Sequence, residues 1–147
     1  MTLAAIPGET LARRLQEATP DAVVEWDDAA VWVRPEAMAS VAAFLHDDPD
    51  IDFAFLNAIS AIDFVEHFEL VYHLMSLAKE HTGVVRSRVY GREEPTAASV
   101  VNVWKGADFQ EREIWDLMGI RFTGHPNMKR IMLWEGFDGH PLRKDFL

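Results

Sequence analysis

Residues 52–90 read DFAFLNAISAIDFVEHFELVYHLMSLAKEHTGVVRSRVY, and this stretch decides the fold. It divides into three runs separated by short turns. The run Asp52–Ile62 is apolar on both faces, which predicts a strand lying centrally in a sheet. The run His67–Ser76 alternates, placing Phe68, Leu70, Tyr72 and Leu74 on one face. Thr82–Tyr90 alternates as well, setting Val85 and Val89 opposite Arg86 and Arg88. Short links between such runs favour antiparallel hairpins.

Upstream, Leu11, Leu15 and Ala18 recur at helical spacing, which predicts a helix near Gly8–Ala18 ended by Pro20-Asp21. Ala22–Trp26 and Val31–Val33 read as two short strands around an Asp27-Asp28 turn. Pro35 suits the first position of a second helix. Met38, Val41, Ala42 and Leu45 form its apolar face, and Asp47-Asp48-Pro49 stops it. Downstream, a short helix is expected near Ser99–Trp104 and a firmer one over Asp108–Met118, with Gly119 as its stop. The order α-ββ-α-βββ, followed by a helical and irregular tail, specifies an α+β fold built as a two-layer sandwich. The expected organisation is one domain, a body over 1–95 and a signature helix with its tail over 96–147.

Composition narrows function. A chain of 147 residues with 49% apolar and 26% charged content is an ordinary globular sequence. It has no cysteine, which removes disulfides, thiol catalysis and thiolate ligation of iron–sulfur clusters. No secretory leader is visible, and the longest nearly apolar run, Phe53 to Ile62, is far short of the ~20 residues a membrane helix needs. The net charge of −10 disfavours nucleic acid and anionic lipid as partners. Residues 1–120 hold 9 basic against 21 acidic residues, whereas 121–147 hold 5 against 3, so the tail carries a net +2 and a chemistry of its own. Phe122, Met128, Ile131, Met132, Leu133, Trp134 and Phe137 make it too apolar for a solvated extension.

On a helical wheel, Ile114, Trp115, Leu117 and Met118 span one arc of the Asp108–Met118 helix, with Arg112, Glu113 and Asp116 opposite. Glu111 falls within the apolar arc. Two readings stand: it closes a D-x-x-E capping box with Asp108, or it pairs with an Arg or His from the tail or another subunit. His67 and His73 are too far apart along a strand to chelate one ion. His125 and His140 each sit in a Gly-His-Pro unit, which builds a rigid turn with a hydrogen-bonded imidazole. A metal site from His125, His140 and Asp138 or Asp145, serving a stand-alone hydrolase, is the competing idea, without any recognised ligand spacing behind it. There is no dinucleotide-binding glycine loop, Walker loop or nucleophile elbow.

The run from Trp104 to Phe146 resembles the respiratory-chain NADH dehydrogenase 30-kDa subunit family of complex I (NADH:quinone oxidoreductase). The matching residues are Glu111-Arg112-Glu113, Trp115-Asp116-Leu117-Met118-Gly119, Phe122 to Pro126, Lys129-Arg130-Ile131-Met132 and the Gly139-to-Phe146 run with Pro141, Arg143, Lys144 and Asp145. Asn127 and Met128 depart mildly from the usual Asp and Leu. The resemblance implies an accessory subunit of the peripheral arm of NADH:quinone oxidoreductase, on the cytoplasmic side of the membrane. It implies contact with a large hydrogenase-like subunit and with the subunit that holds the terminal cluster, and membrane association through partners alone. FMN, Fe–S clusters and quinone would all be held by those partners. Arg121, Lys129, Arg130, Arg143 and Lys144 are the expected docking cations. Related hydrogenase, formate hydrogenlyase and F420H2 or ferredoxin dehydrogenase complexes use equivalent subunits.

Overall fold

The computed structural model describes residues 3–133 and 138–146. Trp134 and Phe137, counted above among the apolar tail residues, lie outside the described residues. Twelve short elements follow one another: β1 (Ala4–Ala5), α1 (Gly8–Ala18), β2 (Val23–Trp26), β3 (Val31–Val33), a 3-10 turn (Pro35–Ala37), α2 (Met38–Asp47), β4 (Phe55–Asp63), β5 (Phe68–Ser76), β6 (His81–Val89), β7 (Thr96–Ala98), α3 (Ala107–Met118) and β8 (Arg121–Thr123).

The main sheet runs β2-β3-β6-β5-β4. The β4-β5 and β5-β6 pairs are antiparallel hairpins, as the short links require. β1 and β3 pair with β6 in parallel, at its start and its middle. Gly8 carries the chain from β1 into α1 past the β2-β3 turn. A Cβ there would stand 2.2 Å from the carbonyl oxygens of Ala30 and Asp27, so only glycine fits.

Alternation along the strands sends Phe68, Leu70, Tyr72, Leu74, Val85 and Val89 to one buried face. They pack with Leu11, Ala12 and Leu15 of α1 and Met38, Val41, Ala42 and Leu45 of α2. The opposite face carries Arg86 and Arg88 over the Trp32 ring, with Arg86 donating to Glu69 at 2.6 Å. The sandwich reading of an α+β fold therefore holds.

Several local expectations change. Pro35 opens a 3-10 turn, and the α-helix begins only at Met38. It stops where Asp48 Oδ1 turns back to accept the N–H groups of Asp50 and Ile51 at 2.8 and 3.2 Å. β4 is an edge strand and not a central one. Its two-sided apolar pattern has another cause: Ile59 is buried against α3 and the core, while Phe55 and Ile62 stay exposed. Ser99–Trp104 is no helix. Strand β7 precedes it, and a single turn closes with Trp104 N–H on the Val100 carbonyl at 2.9 Å.

Beyond β8 no helix or strand forms among the described residues. The tail folds back along α3, joined by Leu142 N–H on the Leu117 carbonyl at 2.9 Å.

Candidate functional site

The signature residues gather where α3, the loops flanking β4 and β6, and the tail meet. Asp116 is the centre of the first cluster. The helical wheel puts it on the polar arc, yet it is fully buried, because the tail covers that arc. Its Oδ1 accepts from Arg130 Nη1 at 2.7 Å, and its Oδ2 accepts the successive N–H groups of Ile131, Met132 and Leu133 at 3.1, 2.6 and 2.8 Å. Consecutive amides converging on one oxygen form an anion nest. Burial pushes this carboxyl upward, but the amides and Arg130 outweigh it and hold it below the usual range.

The nest makes Arg130 an internal clamp. Its second nitrogen reaches the Gly139 carbonyl at 2.8 Å. Arg112 steadies the same segment from the helix, donating to the carbonyls of Lys129 and Arg130 at 3.2 and 3.4 Å. Gly119 ends α3 with φ of 81°, and a Cβ on it would lie 2.8 Å from His140 Cδ2. His140 fills that space, with Nδ1 2.9 Å from the Asp116 carbonyl and its ring against Trp115. The Arg121 guanidinium also lies over Trp115, 4.9 Å from the ring centroid.

A second cluster fixes the end of the tail. Arg92 grips Asp63 through two bonds of 2.8 Å and reaches Asp145 at 3.1 Å. The Lys144 main-chain N–H also donates to Asp63 at 2.8 Å. Arg143 donates to the Arg92 carbonyl and to Asp145, and both guanidinium groups lie over Phe68. The Arg92 bonds hold the Asp63 carboxyl far below the ordinary range, in spite of its burial. Neither Asp63 nor Arg92 stands out in the sequence. The available signal was an acid ending an apolar strand, 29 residues from its partner.

Glu111 settles neither earlier reading as framed. The capping box is absent, since the start of α3 shows no side-chain cap. Glu111 is buried and accepts from Ser99 Oγ at 2.5 Å and from Val100 N–H at 2.9 Å. No Arg or His from the described tail bonds it. Burial raises its pKa against the lowering pull of these bonds and of nearby His125. The core Tyr72 hydroxyl has no hydrogen-bond partner among the described residues, and burial followed by the Glu111 charge pushes it well above its usual value.

His125 forms the expected turn. Its Nε2 lies 3.0 Å from Asp108 Oδ1, and its Nδ1 accepts the Asn127 N–H at 2.9 Å. Pro126 is exposed and Pro141 half-buried on the corresponding turns. His125 contacts the first turn of α3 and His140 the last, eight residues or ~12 Å along the axis. Among the described residues no three His, Cys, Asp or Glu side chains could hold a metal together. The set imagined for a hydrolase is thus not assembled.

Among the cations proposed for docking, Arg130 and Arg143 are engaged inside the chain. Lys129 and Lys144 expose their side chains and have no carboxylate partner among the described residues, and Glu113 is likewise exposed without a cation. The arrangement suits a rigid, charged contact surface. No described helix is long and apolar enough to cross a membrane.

Comparison with known proteins shows what the chain is similar to. The family model for the respiratory-chain NADH dehydrogenase 30-kDa subunit matches residues 31–147. The chain is 42% identical over 148 residues to an NADH-quinone oxidoreductase subunit of Roseiflexus castenholzii, covering 96% of this chain and 84% of that one. It is 40% identical to the like-named subunit of Azorhizobium caulinodans, covering 92% and 67%. The mitochondrial NADH-ubiquinone oxidoreductase 30.4 kDa subunit of Neurospora crassa is 38% identical, over 82% of this chain and 43% of that one. In fold, the chain resembles one in the structure of the membrane-bound sulfane sulfur reductase, an archaeal respiratory membrane complex, with a TM-score of 0.70, 23% identity and coverage of 95% and 85%. The family match over most of the chain and the internal use of its signature residues lead to one conclusion: the chain belongs to the respiratory-chain NADH dehydrogenase 30-kDa subunit family.

Proposed function

We propose that the chain is a structural subunit of the peripheral arm of NADH:quinone oxidoreductase. It sits on the cytoplasmic side, against the large hydrogenase-like subunit and near the subunit that holds the terminal iron–sulfur cluster. FMN, clusters and quinone belong to its neighbours, and its membrane association runs through them. The observation that carries this reading is the family match across residues 31–147, whose C-terminal signature folds into one α3–tail unit.

In this role the chain performs no redox step. Its lack of cysteine leaves no thiolate for a cluster. Its contribution is a preorganised surface. Asp116 and Asp63 lock the tail before a partner arrives, so less ordering is needed on association. Arg121, Lys129 and Lys144 then remain to meet partner carboxylates.

The test is affinity purification of the tagged chain from mildly solubilised native membranes, with mass spectrometry and NADH:quinone assay on the same fraction. Flavin and cluster subunits retained with activity are the expected outcome. Hydrogenase or formate dehydrogenase partners would instead assign the chain to a sister complex. A solitary protein, beside a control subunit that keeps its complex, would sink the reading.

A further inference from the structure

The geometry points to the free edge of β4 as a docking edge. An extended segment of a neighbouring subunit adds its main chain beside Ala61, next to the Ile59 N–H that Gln110 caps, and sets a basic side chain against Glu113. This inference rests on the assembly reading above and names one of its contacts.

The edge is unusual in what it leaves open. β4 spans nine residues at the end of the sheet path. Its ladder with β5 alternates, so N–H and C=O groups of every second residue turn away from β5. Ile59 is one of these, because its N–H donates to the side chain of Gln110 on α3 at 2.6 Å. The Gln110 oxygen occupies the place a carbonyl of an added strand would take, and its Nε2 is anchored on the Gly106 carbonyl at 3.2 Å. By the same alternation the Ala61 N–H also points outward, and nothing among the described residues accepts it.

Exposed edges are ordinarily defended by Lys, Pro, inward charge, a bulge or a covering helix, and α3 reaches this one through Gln110 at Ile59. Here the one bulge lies between Leu56 and Ala58, at the strand's start. From Ala58 to Ile62 the sequence holds neither charge nor proline. The edge forms one wall of a groove of about 230 Å³ whose other lining includes Ile114, Leu117, Leu142 and Glu113. That is smaller than the ~300–1,000 Å³ of a small-molecule pocket. Its unpaired polar groups are main-chain groups, which select a peptide in extended form.

Charge selects the partner. Glu113 stands exposed at the groove without a cation among the described residues, in a body of net −12 over residues 1–120. A second copy of this chain, pairing edge to edge, would bring Glu113 toward Glu113 and repel. A segment bearing Lys or Arg is attracted.

The experiment compares hydrogen exchange of the peptide covering residues 58–63 in the purified chain and in the purified native complex. It is joined to two variants, Ala61→Pro and Glu113→Lys. Proline removes only an outward N–H and spares the β5 ladder, and Glu113→Lys alters an exposed side chain. The expected result is at least tenfold slower exchange of one amide in the complex. Each variant should also retain at least tenfold less complex per tagged chain, with unchanged melting of the isolated protein. If wild type retains the complex and both variants do so equally, the edge inference falls and the assembly reading stands. If wild type retains no complex, the assembly reading fails and takes this inference with it. A dimer of the purified chain that Ala61→Pro abolishes would replace the partner with a second copy and overturn the inference. Should Ala61→Pro fail to fold, Glu113→Lys and the exchange measurement decide.

Discussion

Arg130 and Asp116 face each other 2.7 Å apart across 14 residues of chain, with the carboxylate fully buried and the guanidinium nearly so. The pair fastens the tail to α3. Removing the carboxylate leaves three amides without their acceptor and takes one partner from Arg130, which keeps the Gly139 carbonyl. A donor left without its acceptor costs ~1–3 kcal/mol. Asp116→Ala should therefore lower the urea midpoint by a corresponding amount and open residues 129–133 to limited proteolysis. Unchanged cleavage there would show that the tail holds without the nest.

Acid should release the tail. Asp63 and Asp116 both have carboxyl pKa values held below the ordinary one. The stability this gives is complete above the unfolded value of ~3.9 and is lost as pH falls below it toward the folded values. Unfolding free energy should be level from pH 7 to about 5 with respect to these groups and decline below pH ~4. Asp63→Asn should flatten part of that decline, and a curve identical to wild type would exclude Asp63 as a contributor.

Glu111 acts with the opposite sign. Its folded pKa is raised, so the native state holds its proton more firmly than the unfolded chain. The stability from this group is full below ~4.3 and falls as pH rises through the raised value. Glu111→Gln carries no such dependence. The variant should match wild type near pH 4 and equal or exceed it in stability at pH 8, in parallel denaturant titrations. A variant less stable at pH 8 than at pH 4, relative to wild type, would reverse the assignment.

Gly119→Ala should destabilise through two independent effects. The left-handed φ of 81° is costly for a side chain, and the new Cβ would meet His140 at 2.8 Å. Together they should cost at least ~1–3 kcal/mol, seen as a lower melting temperature. His140→Ala in the same background should recover the steric share only.

Pinning and docking can be separated by charge reversal. Lys129→Glu with Lys144→Glu removes exposed cations that have no carboxylate partner among the described residues, so the isolated chain should melt within ~0.5 kcal/mol of wild type. Retention in the complex should fall, and more steeply at low salt. Arg143→Ala should instead lower stability of the isolated chain. Equal retention of the double variant would remove the two lysines from the contact surface.

Period was the most legible part of the sequence. Alternation over His67–Ser76 and Thr82–Tyr90 and the spacing of Leu11 and Leu15 place much of the main sheet and α1. Distance along the chain hid the rest. Asp116 reads as solvent-facing because the amides that bury it come 15 to 17 residues later. Glu111 has the spacing of a cap, yet its partner Ser99 arrives from a turn 12 residues before it. β4 reads as central because α3 buries part of a strand that, among the described residues, has a neighbour on one side only. The cations of the family signature divide between internal clamps and exposed lysines only when the tail is seen folded back.

The position of β6 sets the order in which the chain can become a protein. β1 and β3 each find their parallel partner only on β6, with Ala4 registered to His81 and Val31 to Val85. Until residue 89 has left the ribosome, the first thirty-odd residues have no sheet to join. Loop closure over such spans slows folding relative to local contacts. The β4-β5-β6 meander pairs only strands adjacent in sequence, so it can form from the middle of the chain without the amino terminus. During synthesis the early apolar segments stand exposed for that interval.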